Sequence, residues 1–151
     1  MNDEARIREL AIQFREAIQK CDREELPLSL ADYPIGSCAD VSMLLGTYFK
    51  DNGIGGFMFI KGKRGAGDSL ETHYWLEKGN ILVDITADQF QDMNKKIVIT
   101  EVSSIWHSTF ERFVLQEADH RIIAASDVRK HLAAVYDYVL EAGKLKTLTS
   151  L

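Results

Sequence analysis

Apolar residues recur with helical spacing in three stretches of the chain. In residues 3–21, Ile7, Leu10, Ala11, Phe14, Ala17 and Ile18 keep the i, i+3, i+4, i+7 period. Asn2 is placed to cap this helix, and Asp3 and Glu4 put carboxylates in its first turn, where the helix dipole favours them. A second stripe, Val41, Leu44, Leu45, Tyr48 and Phe49, follows Cys38 and predicts a helix from Cys38 to about Asn52, buried along the face of the stripe. Pro34 and Gly36 interrupt anything earlier, Ser37 is a good N-cap, Asp40 lies in the first turn and Asn52-Gly53 supplies the stop. Gly46 falls inside this helix at a cost of about 1 kcal/mol against alanine, which predicts a neighbour packed closely on it. The third stripe is Leu132, Val135, Tyr136, Val139 and Leu140, with Ser126-Asp127 as its cap, Gly143 as its end and residues 144–151 as a tail. Between the first two helices, residues 22–37 hold both prolines, Pro27 and Pro34, together with Leu26, Leu28, Leu30 and Tyr33, and are expected to run over the core.

The middle of the chain changes to the short apolar and aromatic runs of strands. Residues 57–61, 71–77, 81–86 and 97–102 read as strands. Residues 62–70, with Gly62, Gly65 and Gly67 between charges, read as a mobile hairpin loop, since no GKS/T completes a phosphate loop. Residues 103–125 keep no period and are expected to wrap the sheet. Lys78-Gly79-Asn80 is a turn, and its geometry decides what faces what. A two-residue Lys78-Gly79 loop puts His73 opposite Asp84 on one sheet face, with Cβ atoms about 4.5–5.5 Å apart. A three-residue loop ending in Gly79 puts Thr72 there instead. The expected fold is α+β, one domain over residues 1–151: a helix bearing Cys38 packed on an antiparallel sheet of about four to six strands, with the first and last helices covering the sheet or closing an edge.

Composition narrows the function classes. The chain has 151 residues, 46% of them hydrophobic and 27% charged, as in an ordinary globular domain with a real core. A net charge of −5 and an acidic pI near 5.4 argue against a nucleic-acid footprint and against an anionic membrane surface. No apolar run is long enough to span a bilayer, and the charged residues 1–9 do not form a secretory signal, so a cytoplasmic location is expected. In that reducing compartment Cys21 and Cys38 are expected to be free thiols.

Of the two cysteines, Cys21 reads as a small residue packed at a helix end. Cys38 lies at a helix start, where a thiol ionises most easily, and the thiolate is the nucleophile. Thiol catalysis needs a histidine within reach and a third group to hold its tautomer. His73 and Asp84 follow in that order on consecutive strands. Taken singly, Cys38 would more often be a buried structural cysteine and His73 a packed strand histidine. Asp84 is harder to dismiss, because Ile81, Leu82, Val83 and Ile85 flank it and a buried carboxylate needs a partner. Trp75 and Gln89 are candidate cleft residues by proximity to His73 and Asp84, and Ser37, next to Cys38, is a further candidate binding residue. His107, next to Trp106, reads as a packed loop histidine. His120 and His131 have no ligand-spaced partners, and no Cys/His cluster points to zinc, so neither a metal nor another cofactor is expected.

The segments Tyr33-Pro-Ile-Gly-Ser-Cys-Ala-Asp-Val-Ser42, His73-Tyr-Trp-Leu-Glu77 and Asp84-Ile-Thr-Ala-Asp-Gln-Phe90 resemble the papain-like and transglutaminase-like superfamily. They are most similar to a bacterial group with a Pro-x-Gly-x-Cys segment, a His-x-Trp-Leu-Glu strand and an Asp-Ile-Thr-Ala-Asp-Gln-Phe strand. The Trp106-His107 and Phe110 segment also looks like that group, so the resemblance covers about residues 33–110. It implies that Cys38 is the nucleophile, His73 the base and Asp84 its orienter. The implied activity is acyl transfer through a thioester, most simply hydrolysis of an amide or isopeptide bond in a peptide or other amide-bearing substrate. Papain-like proteases carry a glutamine six residues before the cysteine as an oxyanion donor. Here that position is Asp32, which leaves the backbone N–H of Cys38, as in transglutaminase-like enzymes. Losing one donor costs about 3–4 kcal/mol of transition-state stabilisation. Two alternatives follow: an inactive binding module of the same fold, and an amine acyltransferase like the arylamine acetyltransferases, which share the Cys, His, Asp order but are much longer.

Overall fold

The computed structural model describes residues 3–27, 30, 33 and 36–148. Among them are three α-helices, α1 (Asp3–Lys20), α2 (Cys38–Asp51) and α3 (Ser126–Ala142). The strands are β1 (Met58–Arg64), β2 (Glu71–Lys78), β3 (Ile81–Asp84), β4 (Val98–Glu101) and β5 (Glu111–Glu117). They form one sheet in the order β4-β3-β2-β1-β5, with every neighbouring pair antiparallel. The fold is α+β. No described helix is long and apolar enough to cross a membrane.

The helices form a layer on one face of the sheet. α2 lies between sheet and helices: it packs on β2 and β1, while α1 and α3 pack on α2 and on each other. It is therefore buried on nearly all sides, Ser42 and Thr47 included, rather than along one face. A helix so placed must be apolar or satisfy its polar groups internally. Thr47 Oγ1 bonds the Met43 carbonyl at 3.2 Å, and Ser42 Oγ bonds the Tyr74 carbonyl of β2 at 3.3 Å. Gly46 is where Ala118 packs: a Cβ there would lie 2.3 Å from the Ala118 Cβ. The N–H groups of Gly53 and Ile54 close the C-terminus on the carbonyls of Lys50 and Phe49, the double bond pattern of a Schellman stop. Ser37 occupies the N-cap position without the side-chain capping bond expected of it, and Ser126 is the first helical residue of α3, not its cap. The expected caps or connector residues Asn2, Leu28 and Pro34, and Asp32 with them, lie outside the described residues. Leu26, Leu30 and Tyr33 do run over the core.

The other sheet face carries a second, smaller core of Ile60, Trp75, Leu82 and Val98. Residues 87–110 fold over it, contributing Ala87, Phe90, Trp106 and Phe110. Residues 103–125 do more than wrap the sheet, because they contain β5. Residues 62–64 belong to β1, and only residues 65–70 connect to β2.

Candidate active site

The β2–β3 hairpin turns on Gly79-Asn80, pairing Lys78 with Ile81 and Leu76 with Val83. Both registers expected from the sequence are thus displaced. Gly79 takes the first turn position with φ +57°, a left-handed value that glycine adopts without a Cβ clash. Continued one pair further, this register sets Asp84 across from Trp75. His73, two residues away on the same face, becomes its diagonal neighbour. Regular pairing stops at Leu76–Val83, so β2 is left open on that side from Tyr74 towards its start. The N-terminus of α2, tied to Tyr74 through Ser42, brings Cys38 to this opening, beside the Tyr74 backbone.

His73 is fully buried and bridges the site. Its Nε2 lies 2.6 Å from Asp84 Oδ2, and its other nitrogen, Nδ1, is 3.2 Å from Gln89 Nε2. A carboxylate only accepts hydrogen bonds, so Nε2 carries the proton and Nδ1 is the nitrogen left for Cys38. The second partner of Asp84 is His107, whose Nε2 is 2.8 Å from the same Oδ2 and whose Nδ1 is 2.9 Å from Ser104 Oγ. Asp84 Oδ1 accepts from the Thr86 N–H at 3.0 Å and lies 3.4 Å from its hydroxyl. Every face of the carboxylate is occupied, which is what a side chain only 1% exposed requires.

These contacts set the charges. Burial alone would push the Cys38 thiol up, but the hydrogen bond and charge of His73, with bonds from Gln89 and the Tyr74 N–H, bring it below its ordinary value. Burial would push the His73 imidazole down, but the Asp84 charge and hydrogen bond, helped by Cys38, raise it to about 9. Burial works against ionised Asp84 as well, yet the two histidines hold its carboxyl well below the usual range. Cys21 has no such neighbours: its thiol bonds the Ala17 carbonyl, and burial pushes it up to about 11.

His73 stands among aromatic rings. Phe90 and Trp106 meet it edge-on with centroids 5.0 and 5.8 Å away, and Trp75 and Phe110 lie at 5.8 and 6.0 Å. The Arg64 guanidinium lies over Phe110 at 4.3 Å. Trp75 is 1% exposed and donates its N–H to Glu77 at 2.9 Å, so it packs against His73 instead of presenting a cleft surface. Ser37 is likewise buried. Gln89, half-buried, reaches His73. Sequence reasoning missed the role of His107, which meets Asp84 only through the fold of residues 87–110; its place beside Trp106 was the one local hint.

Asp84, His73 and His107 also offer one ligand atom each within 4.8 Å of one another, enough to consider a metal. Tetrahedral ligands about 2.0–2.1 Å from a zinc ion stand about 3.3 Å apart. The two nitrogens here are 2.6 and 2.8 Å from the carboxylate oxygen, a hydrogen-bonding separation. The cluster fits two imidazole N–H donors sharing an acceptor better than it fits an ion. Comparison of the chain with protein-family models, with curated proteins and with solved structures finds no match.

Proposed function

We propose that the protein is a thiol-dependent acyl-transfer enzyme of papain- and transglutaminase-like construction, hydrolysing an amide or isopeptide bond through a thioester on Cys38. One observation carries the reading: His73, hydrogen-bonded to the buried Asp84, stands beside the Cys38 thiol and lowers its pKa, at a helix start and the open side of a strand. In this mechanism the Cys38 sulfur attacks the substrate carbonyl carbon, an S–C bond forms and the carbonyl π pair moves to oxygen. As the C=O bond re-forms, the C–N bond breaks and the amine leaves with the proton of His73. Water then attacks the thioester, giving a proton to His73, and the sulfur departs as thiolate. Asp84 holds the tautomer and supports the imidazolium. An amine in place of water gives transfer by the same steps.

A second reading has its own observation. Cys38 is only 8% exposed and His73 not at all, as an inactive binding module would allow. Iodoacetamide labelling at pH 6, followed by mass spectrometry, separates the two. The enzyme reading expects rapid modification of Cys38, none of Cys21, and no labelling in a folded Cys38→Ala variant. A Cys38 no faster than an ordinary thiol of pKa about 8.5 sinks the enzyme reading, and labelling at Cys21 instead removes Cys38 from the site.

A further inference from the structure

We infer that Gln89 is the side-chain oxyanion donor of this site, the part that the residue at position 32 cannot supply. The inference rests on the acyl-transfer reading. Gln89 ends the 3-10 turn Ala87–Gln89 and is anchored on both sides: Ala87 is fully buried, and the Phe90 ring stands edge-on to His73. Its amide has a definite orientation. The Gly36 N–H donates to Gln89 Oε1 at 3.2 Å, so the oxygen faces the chain just before Cys38. The NH2 group therefore faces the reactive pair, with Nε2 3.2 Å from His73 Nδ1. The same amide is near enough to the Cys38 thiol to help lower its pKa.

This arrangement suits the charge movement of the reaction. Before attack the negative charge is on sulfur, where His73, Gln89 and the Tyr74 N–H converge. During attack the charge moves to the carbonyl oxygen, one bond beyond the carbon joined to sulfur. A donor fixed beside the sulfur can follow it there without reorganisation. The N–H of Cys38, in the first helical turn with no carbonyl four residues back inside the helix, is suited to be the second donor. An amide side chain thus reaches the site from the loop after β3 rather than from the segment before the nucleophile.

The test compares two reactions of the same sulfur. Iodoacetamide alkylation forms no oxyanion. Acetylation by 4-nitrophenyl acetate does: sulfur bonds to the carbonyl carbon, the π pair moves to oxygen, and collapse breaks the C–O bond and releases 4-nitrophenolate without a proton. Both rates are followed at Cys38 by mass and divided by the thiolate fraction from each variant's own alkylation pH profile. In Gln89→Glu, which keeps the acceptor for Gly36, and in Gln89→Leu, neutral and tolerated at a half-buried position, acetylation should fall about 10²–10³-fold while alkylation changes by less than about tenfold. Equal falls in both rates, or unchanged acetylation, overturn the role of Gln89 and leave the enzyme reading standing. A wild-type Cys38 that is alkylated at low pH but never acetylated overturns the acyl-transfer reading, and the donor role with it.

Discussion

At Asp84 the two carboxylate oxygens have separate duties. Oδ2 faces two histidine N–H donors and Oδ1 faces the Thr86 N–H. An asparagine has one acceptor oxygen, so in Asp84→Asn its NH2 must confront either the histidines or the Thr86 amide. Facing one imidazole alone, an amide could replace the acid, because its oxygen still accepts from the ring. The observed network leads to a different expectation, a loss of about 1–3 kcal/mol of stability from the donor left unsatisfied. The variant should still fold, and its Cys38 thiol should titrate higher, because a less stable imidazolium supports the thiolate less. The pH profile of alkylation, set beside urea unfolding, reads both effects. Overlapping profiles would mean that Asp84 is structural and uncoupled from the thiol.

At the scale of elements, the loop after β3 carries the positioning of the site, and α1 holds that loop. Arg15, 5% exposed in the middle of α1, donates to the carbonyls of Ile85 and Lys96 at 2.7 and 2.9 Å. Its two terminal nitrogens also meet the two oxygens of Asp88 at 3.1 and 2.9 Å. Tyr33 adds a bond to the Ile85 carbonyl at 2.6 Å. Arg15→Ala leaves the half-buried Asp88 and the Lys96 carbonyl without this donor, while the Ile85 carbonyl keeps Tyr33, and should cost about 1–3 kcal/mol in urea unfolding. It should also slow Cys38 acetylation at temperatures where the variant is folded, because Asp84 and Gln89 flank the released segment. A loss under 1 kcal/mol would show that the loop holds its shape without the clamp. Helix content and the β2–β3 hairpin were legible in the sequence, since each is declared by a local period or a glycine turn. The hairpin register was not, because Lys78-Gly79 and Gly79-Asn80 both satisfy turn chemistry and only packing of the flanking strands chooses between them. β5 was invisible for another reason. It is an edge strand with Phe113, Val114 and Leu115 all exposed, so no alternation of buried and exposed positions marks it.

For the whole molecule, the buried charges predict a stability maximum in mild acid. The folded His73 lies near 9 against an ordinary 6.5, so the stabilisation from its protonated form is complete below 6.5 and is lost as pH rises through 9. Asp84 is depressed from 3.8, so its contribution is present above 3.8 and is lost as pH falls below it. In Cys38→Ala, which removes the thiol's share of the rise and leaves that of Asp84, stability should be greatest between about pH 4 and 6.5 and decline by less than about 3 kcal/mol towards pH 9. Urea midpoints across that range, compared with a His73→Gln partner variant, isolate the contribution. A decline of the same size in both would place its origin outside His73.

Sequence alone determined which residues could carry the chemistry: a cysteine at a helix start, a histidine on a strand, and an acid among apolar neighbours that could not be buried unpaired. Those are local statements, since a cap, a period and a desolvation cost are properties of a few adjacent residues. Only the tertiary structure decided how they meet. His107 reaches Asp84 across 23 residues, Gln89 is oriented by Gly36 across 53, and Arg15 clamps Asp88 across 73. Bonds of that span arise when the helix layer and the loop over the second core close on the sheet. Their formation depends on which faces are left to be buried, and no short stretch of the chain contains that information.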